Sequence, residues 1–239
     1  MKHYYALFSG GLDSTLAILL VASKRNTVRI TPIFFKYGQK SATEETKAVR
    51  RLIPLLRKHL GNPSSILDEC REFDITGLFS WSKSPILQHN STSAGAPDVE
   101  NRNMILIGCA ASVMMADQKR QGDEAKELVV GFKNEHYDTK SQFASAINSV
   151  FKAMDKPISL TAPLISEMQT GHSAPKRLAK YAHALGAFDL LKESWSCYYP
   201  QTGTPCNNCS ACGGRTEFFS ELRTRMQEKG NANLSNSLS

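Results

Sequence analysis

A short glycine turn between an apolar strand and an apolar helix constrains this chain more than any other feature of its sequence. Residues 9–14 read Ser-Gly-Gly-Leu-Asp-Ser, directly after the apolar run 4–8 and directly before the apolar run 15–20. A helix N-terminus presents unpaired N–H groups and a partial positive charge, and glycines let a phosphate approach the backbone. The segment therefore predicts a phosphate-binding corner, although an ordinary strand–turn–helix corner would look similar in sequence.

The side chains of this turn indicate which kind of phosphate it binds. Ser9 and Ser14 offer hydroxyl donors, and the turn lacks the Gly-Lys-Ser/Thr ending of a Walker A loop. Asp13 would repel a bare phosphate but suits one that carries Mg²⁺. The pattern resembles the PP-loop of ATP pyrophosphatases, which adenylate a substrate oxygen and hold the departing pyrophosphate. This resemblance implies a site for ATP and Mg²⁺ built from Phe8, Ser9, Gly10, Gly11, Leu12, Asp13 and Ser14.

Apolar strands alternate with helices along the chain, which predicts a doubly wound, mostly parallel α/β sheet. Ligands of such sheets bind outside the carboxyl ends of the strands, where the glycine turn lies. The resemblance implies an adenine nucleotide alpha hydrolase-like domain at 1–190; we expect a zinc-binding segment packed on it at 191–228 and a disordered tail at 229–239. The predicted elements after the first helix are a strand at 28–35, a helix at 41–60 with Ser41 and Glu44 as a capping box, a strand beginning at 66–67, a long loop at 80–100, a helix at 101–119, a strand at 128–132, a helix at 141–154, a strand or extended segment at 160–165 and a helix at 173–185.

Composition and charge exclude some classes of protein. The chain has 239 residues, 41% of them hydrophobic, and a formal net charge of +7. No run of about eighteen apolar residues could cross a membrane, and no signal peptide precedes the first strand. We therefore expect a cytoplasmic protein without a membrane partner. The positive charge suits nucleotides and other anions, but it is a weak signal.

Four cysteines crowd into one short segment near the C-terminus. Their spacing is C-x8-C-x2-C-x2-C, which lets four thiolates converge on one ion. Four sulfurs suit a tetrahedral, structural Zn²⁺, and an iron–sulfur cluster is the competing interpretation. A zinc knuckle that reads nucleic acid is disfavoured, because the segment lacks a basic and aromatic stacking set. The predicted metal ligands are Cys197, Cys206, Cys209 and Cys212.

Several further motifs, taken in order, resemble those of the 7-cyano-7-deazaguanine synthase (QueC) family. Residues 37–39 read Tyr-Gly-Gln, Arg102 and Asn103 open a helix, and residues 163–165 read Pro-Leu-Ile. Residues 195–198 read Trp-Ser-Cys-Tyr, and an arginine follows the last cysteine of the cluster. Each motif alone is weak, but together with the glycine turn and the cysteines they cover most of the chain.

The resemblance implies a ligase that uses ATP and Mg²⁺. The carboxylate of 7-carboxy-7-deazaguanine becomes an acyl-adenylate, ammonia converts it to the amide, and a second adenylation gives the nitrile. Asp13 and Ser14 would serve the phosphate chemistry, and Arg102 would hold a phosphate or the substrate carboxylate unless it is a surface arginine. Phe35, Tyr37 and Gly38 would lie near the adenine, although the aromatic residues could equally be strand core. The family also implies a homodimer.

The chain departs from the family pattern on the side expected to bind the deazaguanine. Residues 137–143 read Tyr-Asp-Thr-Lys-Ser-Gln-Phe, where the family has Pro-Asp-Cys-Arg-x-Glu-Phe. Asp138 could still accept from a guanine-like edge, or it could cap the next helix, and Lys140 replaces the arginine.

These departures leave two other functions open. A QueC-like paralogue, of the sort found in bacterial antiviral defence systems, could transfer the deazaguanine acyl group as an amide onto a protein amine. A zinc-stabilised nucleotide- or RNA-binding module without turnover is the other alternative.

Overall fold

The computed structural model describes residues 1–24, 27–61, 65–90, 98–121, 126–133, 135–166 and 174–236. The strands in these ranges are β1 (Lys2–Leu7), β2 (Val28–Lys36), β3 (Ser65–Leu67), β4 (Arg71–Asp74), β5 (Lys126–Val129) and β6 (Ile158–Thr161). The α-helices are α1 (Leu12–Ser23), α2 (Ala42–Leu60), α3 (Arg102–Gln121), α4 (Ser141–Ala153), α5 (Pro163–Ser166), α6 (Ala174–Ala184), α7 (Phe188–Lys192) and α8 (Ser210–Asn236), and a short 3₁₀ helix spans Thr76–Phe79.

The strands form one parallel sheet with β1 near its centre. Its order is β3-β2-β1-β5-β6, and the second half of β2 pairs with β4. The chain moves outward from β1 to β2, β3 and β4 and then crosses back to β5 and β6. The direction of winding therefore reverses between β1 and β5, and a ligand cleft is expected at the carboxyl ends of these two strands.

Alternating side chains of the strands pack into two hydrophobic cores, one on each face of the sheet. Tyr4 and Ala6 of β1 pack with helices α1, α2 and α6–α8, whereas Tyr5 packs with α3 and α4. This arrangement confirms the predicted doubly wound α/β fold, because a parallel sheet is stable only when helices cover both faces.

Helix α8 joins the first of these cores. Phe218 and Leu222 are fully buried, and Phe219 makes an edge-to-face contact with Phe188 of α7, with ring centroids 5.9 Å apart. The backbone of α8 continues to Asn236, where the sequence predicted a disordered tail from residue 229. Extending an established helix costs much less than starting one, so the packed first half of α8 accounts for its continuation.

The capping box predicted for α2 is wrong. Ser41 does precede the helix, but its backbone is already helical (φ −81°, ψ 0°), so its hydroxyl does not face the free N–H groups of the first turn. The hydroxyl instead donates to Glu45 Oε1 at 2.6 Å, and Glu44 pairs with Lys47 at 2.8 Å.

Other boundaries differ from the sequence prediction in identifiable ways. The strand expected at 128–132 is β5, which ends at Val129 because its neighbour β6 ends at Thr161. The segment 160–165 divides into the end of β6 and the short helix α5. The loop expected at 80–100 carries a small core of its own, including Ile86, Leu87 and Val99, while residues 91–97 lie outside the described part of the chain. Within the described ranges, none of the helices has the length and hydropathy needed to cross a bilayer.

Candidate functional site

The glycine turn adopts the strand–turn–helix geometry that its sequence predicted. Gly10 has a φ of +71°, in the left-handed region, and a Cβ at this position would lie 3.0 Å from the Val49 nitrogen of α2. Both the backbone conformation and the space therefore require glycine here. Helix α1 begins at Leu12, with Gly11 as its N-cap.

The two serines of the turn lie beside each other at the head of α1. Ser9 Oγ and Ser14 Oγ are 3.2 Å apart, and Ser9 Oγ accepts a hydrogen bond from the Gly11 N–H at 3.3 Å. The hydroxyl of Thr15 donates to the Gly11 carbonyl at 2.7 Å. The turn thus presents hydroxyls next to the free N–H groups of a helix start, which is a set of donors for an anion.

The acidic residue of the turn has a cationic partner that sequence reasoning missed. Asp13 Oδ2 lies 3.2 Å from Lys133 Nζ, and this ammonium also lies 3.2 Å from Glu135 Oε2. Burial raises the pKa of Asp13, and the charge of Lys133 opposes that rise. Lys133 stays cationic, because Asp13 and Glu135 raise its pKa against the effect of burial. Its position in sequence carries no signal of this contact, since 120 residues separate it from Asp13.

The segment that follows β5 packs directly against the glycine turn. A Cβ at Gly131 would lie 2.8 Å from both the Asp13 carbonyl carbon and the Ser14 nitrogen. Glycine is therefore required for the end of β5 to reach the loop, and Lys133 follows two residues later.

A cleft of about 300 Å³ opens at the carboxyl ends of β1, β2 and β5, where the topology predicts a ligand site. Phe34 and Phe35 contribute to its wall although they are only 2% and 5% exposed. These aromatic residues are therefore strand core and also line the cleft, and their contact with an adenine stays a prediction. The other residues that line it are Leu7, Phe8, Ser9, Asp13, Ser14, Ile33, Tyr37, Glu45, Arg102, Asn103, Leu106, Val130, Gly131, Phe132, Lys133, Glu135, His136, Thr139 and Tyr198.

Arg102 lies in the wall of this cleft and not on the surface. Its guanidinium sits 5.9 Å from the centroid of the Tyr37 ring. Burial lowers its pKa, but Tyr37, Tyr198 and Asp138 raise it by more, so the group stays cationic. Burial in turn raises the pKa of Tyr37 to about 12, so the phenol keeps its proton at neutral pH. Its guanidinium hydrogen-bonds the Tyr37 side chain and interacts with the charge of Asp138, and it faces the cleft with a planar fork of N–H donors.

A third carboxylate, Glu45, faces the cleft from the first turn of α2. It accepts hydrogen bonds from Gln39 Nε2 at 2.8 Å and from the Ser41 hydroxyl at 2.6 Å. Burial raises its pKa, and these hydrogen bonds together with Arg102 oppose the rise. Sequence reasoning assigned Glu45 no role, because an acidic residue in a first helical turn is common for reasons of helix stability alone.

The segment that departs from the family pattern lies at the rim. Asp138 Oδ2 accepts from Asn103 Nδ2 at 2.8 Å, and helix α4 begins after Lys140 without a side-chain cap. Asp138 is therefore not the helix cap that the sequence allowed. Lys140 is exposed and does not line the cleft, whereas its neighbours His136 and Thr139 do.

The four predicted cysteine ligands come together. Their sulfur atoms all lie within 4.8 Å of one another, about twice a Zn–S bond, so one ion can contact all four. Cys197 and Cys212 are buried, and backbone N–H groups, first that of Asn208, lower the pKa of Cys206 to about 7. The donor set fits a closed, tetrahedral metal site.

The same short segment connects the cysteine cluster to the glycine turn. The Trp195 N–H donates to the Gly10 carbonyl at 2.9 Å, and the Trp195 indole donates to the Cys197 carbonyl at 2.8 Å. Tyr198, the next residue, lines the cleft. Residues 195–198 therefore brace the turn, supply a ligand to the cluster and form part of the wall.

Comparisons with known proteins agree with this arrangement. A family model described as "Queuosine biosynthesis protein QueC" matches residues 4–223. The 7-cyano-7-deazaguanine synthase of Methanocaldococcus jannaschii is 26% identical over 230 residues, which covers 89% of this chain and 92% of that protein. The enzyme of the same name from Pyrococcus horikoshii is 28% identical over 236 residues, covering 89% of this chain and 90% of that protein.

A solved structure also matches, at a low level. It is the U34-tRNA thiolase NcsA from Methanococcus maripaludis with its [4Fe-4S] cluster, at 9% identity and a TM-score of 0.40 over 95% of this chain and 72% of that chain. A likeness of this degree does not bear on which metal the cysteines bind.

Proposed function

The chain belongs to the QueC family of queuosine biosynthesis proteins, and we propose that it is an ATP-dependent ligase that forms AMP and pyrophosphate. Its substrates are 7-carboxy-7-deazaguanine and ammonia, and its product is 7-cyano-7-deazaguanine. One observation carries the proposal. A lysine-free glycine turn with an acidic residue heads helix α1, at the point where the sheet reverses its winding and a cleft opens.

The nucleotide half of the reaction uses the donors of the turn. An oxygen of the substrate carboxylate attacks the α-phosphorus of ATP, and the bond to the β-phosphate breaks so that pyrophosphate leaves. Ser9, Ser14 and the free N–H groups of α1 hold this leaving group by hydrogen bonds. The protein positions the reactants and neutralises charge in this step. ATP itself activates the carboxylate oxygen, which is a poor leaving group until it becomes part of AMP.

The substrate half proceeds through two attacks. Ammonia attacks the activated carbonyl carbon, AMP leaves, and a proton is released to give the amide. The amide oxygen then attacks the α-phosphorus of a second ATP, and a second pyrophosphate leaves. Loss of AMP, which carries away the former amide oxygen, and of the two amide N–H protons leaves the nitrile. Arg102 suits the substrate carboxylate, because it lines the cleft and a guanidinium can donate two parallel hydrogen bonds to two oxygens.

The residues present fit both metals of the proposal. Asp13 and Ser14 offer oxygen ligands to Mg²⁺, which would neutralise phosphate charge. We propose Zn²⁺ for the four cysteines, because four sulfurs within reach of one ion suit a structural site and leave no open position for chemistry.

The test is a product assay with the purified protein. ATP, ammonium and 7-carboxy-7-deazaguanine are supplied together, nucleotides are separated by chromatography, and deazaguanines are identified by mass spectrometry. AMP, pyrophosphate and the nitrile are the expected products. Accumulation of ADP in place of AMP would refute the proposal, and so would ATP binding without substrate-dependent release of pyrophosphate, which would identify a nucleotide-binding module.

A second candidate function keeps the acyl-adenylate but changes the acceptor. It is favoured by the altered rim, where Asn103 donates to Asp138, Lys140 is exposed and does not line the cleft, and Tyr137 is 64% exposed. In this version the acyl group passes to an amine of a protein, and the reaction stops at the amide. The same assay separates the two, since the second candidate yields no nitrile and adds the deazaguanine acyl mass to an acceptor protein.

A further inference from the structure

We propose that Lys133 binds the pyrophosphate part of ATP and so supplies the cation that the glycine turn lacks. The inference rests on the proposed function, because it names a residue for the phosphate site of that reaction. Lys133 follows strand β5 and lines the cleft together with Ser9 and Ser14.

The phosphate site needs a cation that its own loop does not contain. The turn offers N–H groups, two hydroxyls and a partial positive charge, but Asp13 adds a full negative charge. Of the described residues that line the cleft, Arg102 and Lys133 are the strong cations. Arg102 lies beside Tyr37, whereas Lys133 Nζ lies 3.2 Å from Asp13 Oδ2, on the turn itself.

The ion-pair partners of Lys133 allow it to exchange one carboxylate for a phosphate oxygen when ligand binds. Two carboxylates, Asp13 and Glu135, share this one ammonium at 3.2 Å each. If Mg²⁺ takes the carboxylate of Asp13, Lys133 keeps Glu135 and still has N–H donors for a phosphate oxygen, because an ammonium group carries three. Its side chain is 30% exposed, so the head group can reach the cleft.

The backbone fixes the distance between Lys133 and the turn. Gly131 touches the backbone of Asp13 and Ser14 so closely that a Cβ would overlap with both. Lys133 is two residues further along the chain. The contact between Gly131 and the turn therefore holds the Lys133 backbone close to the turn.

The test compares ligands that do and do not contain pyrophosphate. Isothermal titration calorimetry would measure the dissociation constants of magnesium pyrophosphate and of AMP for the wild-type protein and for Lys133→Met, Lys133→Arg and Lys36→Met. Lys36 is the matched control, because it ends strand β2 of the same sheet, pairs with Glu72 at 3.1 Å, is 32% exposed and does not line the cleft.

The inference predicts a selective loss. Lys133→Met should weaken magnesium pyrophosphate binding by about tenfold or more, since a hydrogen bond from a charged group is lost, and should leave AMP binding unchanged. Lys133→Arg should recover part of the loss, and Lys36→Met should bind both ligands as the wild type does.

Three results would overturn it, and they are distinguishable. Equal pyrophosphate binding by Lys133→Met and wild type would refute the role of Lys133 while leaving the proposed function intact. Parallel loss of AMP and pyrophosphate binding, with a lower melting temperature, would show that Lys133 only holds the fold of the site. Failure of the wild type itself to bind magnesium pyrophosphate would refute the proposed function, and the inference with it.

Discussion

Asp13 is the residue on which the proposed phosphate chemistry of this cleft depends most. Its carboxylate is 34% exposed toward the cleft, and its neighbours still remove enough water to raise its pKa. The charge of Lys133 opposes this rise. A carboxylate in this position has a desolvation cost, and in the proposed reaction its role is to hold a metal ion next to a phosphate.

Replacing Asp13 should therefore separate activity from folding. Asp13→Ala is expected to slow pyrophosphate release by about a hundredfold or more, because a group that positions charge for the reaction is lost. The melting temperature should change little, since the variant also removes a poorly solvated carboxylate. A coupled pyrophosphate assay and thermal unfolding measure the two effects. Asp189→Ala, at a carboxylate 89% exposed on α7, is the control, and wild-type turnover by Asp13→Ala would contradict the assignment.

Glu45 leads to a prediction about pH. Burial raises its pKa in the folded protein, so the folded state binds its proton more tightly than the unfolded state does. The stability that this proton contributes is complete below the ordinary pKa of 4.5 and is lost as pH rises through the folded value. Glu45→Gln should thus be more stable than the wild type at neutral pH, with the gain shrinking as pH falls toward 4.5.

The hydrogen bonds around Glu45 make this variant informative. A glutamine oxygen can accept from Gln39, and the Ser41 hydroxyl can turn to accept from the new amide group, so the network stays satisfied. Urea unfolding at a series of pH values measures the difference. Glu44→Gln, one residue earlier and paired with Lys47, controls for loss of a negative charge near the helix start. A gain that stayed constant with pH would contradict this account of Glu45.

At the scale of secondary structure elements, the site depends on how β5 docks against the glycine turn. The carboxyl end of β5 lies beside β1 in the sheet, and Gly131 closes the remaining distance to Asp13 and Ser14. The contact joins two segments that are far apart in sequence, so neither segment alone forms the proposed phosphate site.

Gly131→Ala should disturb this docking. Its methyl group would lie 2.8 Å from two backbone atoms, which cannot move aside cheaply, and we expect a loss of about 1–3 kcal/mol in the free energy of unfolding. Nucleotide binding should weaken in parallel, because the turn and Lys133 would separate. Urea unfolding and calorimetry measure the two quantities.

Gly108→Ala is the matched control for that variant. Gly108 is an exposed residue inside helix α3, and a Cβ there meets nothing within 4 Å. Alanine at this position should stabilise the protein by about 0.5–1 kcal/mol through helix propensity and leave nucleotide binding unchanged. If both alanine variants behaved alike, close packing at Gly131 would not be the cause.

At the scale of the whole molecule, one short segment of chain connects the cysteine cluster to the glycine turn. Trp195 donates its backbone N–H to Gly10, and Cys197 follows two residues later. Helix α8, which carries Cys212 in its first turn, packs into the same core as α1 and α6. A metal bound by the cysteines would therefore fix the segment that supports the turn.

The expectation of a homodimer stays a prediction, which sedimentation of the purified protein would test.

Removal of the metal should thus affect both stability and nucleotide binding. Cys209→Ser, or treatment with a strong chelator, is expected to release the ion and to cost several kcal/mol in the free energy of unfolding, since binding of a structural metal is coupled to folding. Cys109→Ser, on α3 and outside the cluster, is the control. Elemental analysis identifies the ion, with zinc expected. Unchanged stability and ATP affinity after complete removal would contradict a structural role.

The sequence by itself determined the features that are encoded in neighbouring residues. The turn at 9–14 and the α/β alternation are local patterns of residue type and period, and the spacing of the four cysteines limits their geometry almost as tightly. Those predictions agree with the structure because the residues involved lie close together in the sequence. The capping box at Ser41 failed for the complementary reason, since the half-buried carboxylate of Glu45 accepts from the hydroxyl.

Only the tertiary structure decided which distant side chains share the cleft. The order of the strands brings Lys133 to Asp13 and Arg102 to Tyr37, and the path of the C-terminal segment brings Trp195 to Gly10. No local pattern records these contacts, because each depends on the packing of whole elements across more than sixty residues of chain. The charge balance of the cleft, and with it the proposed role of Lys133, is therefore a property of the fold and not of any motif.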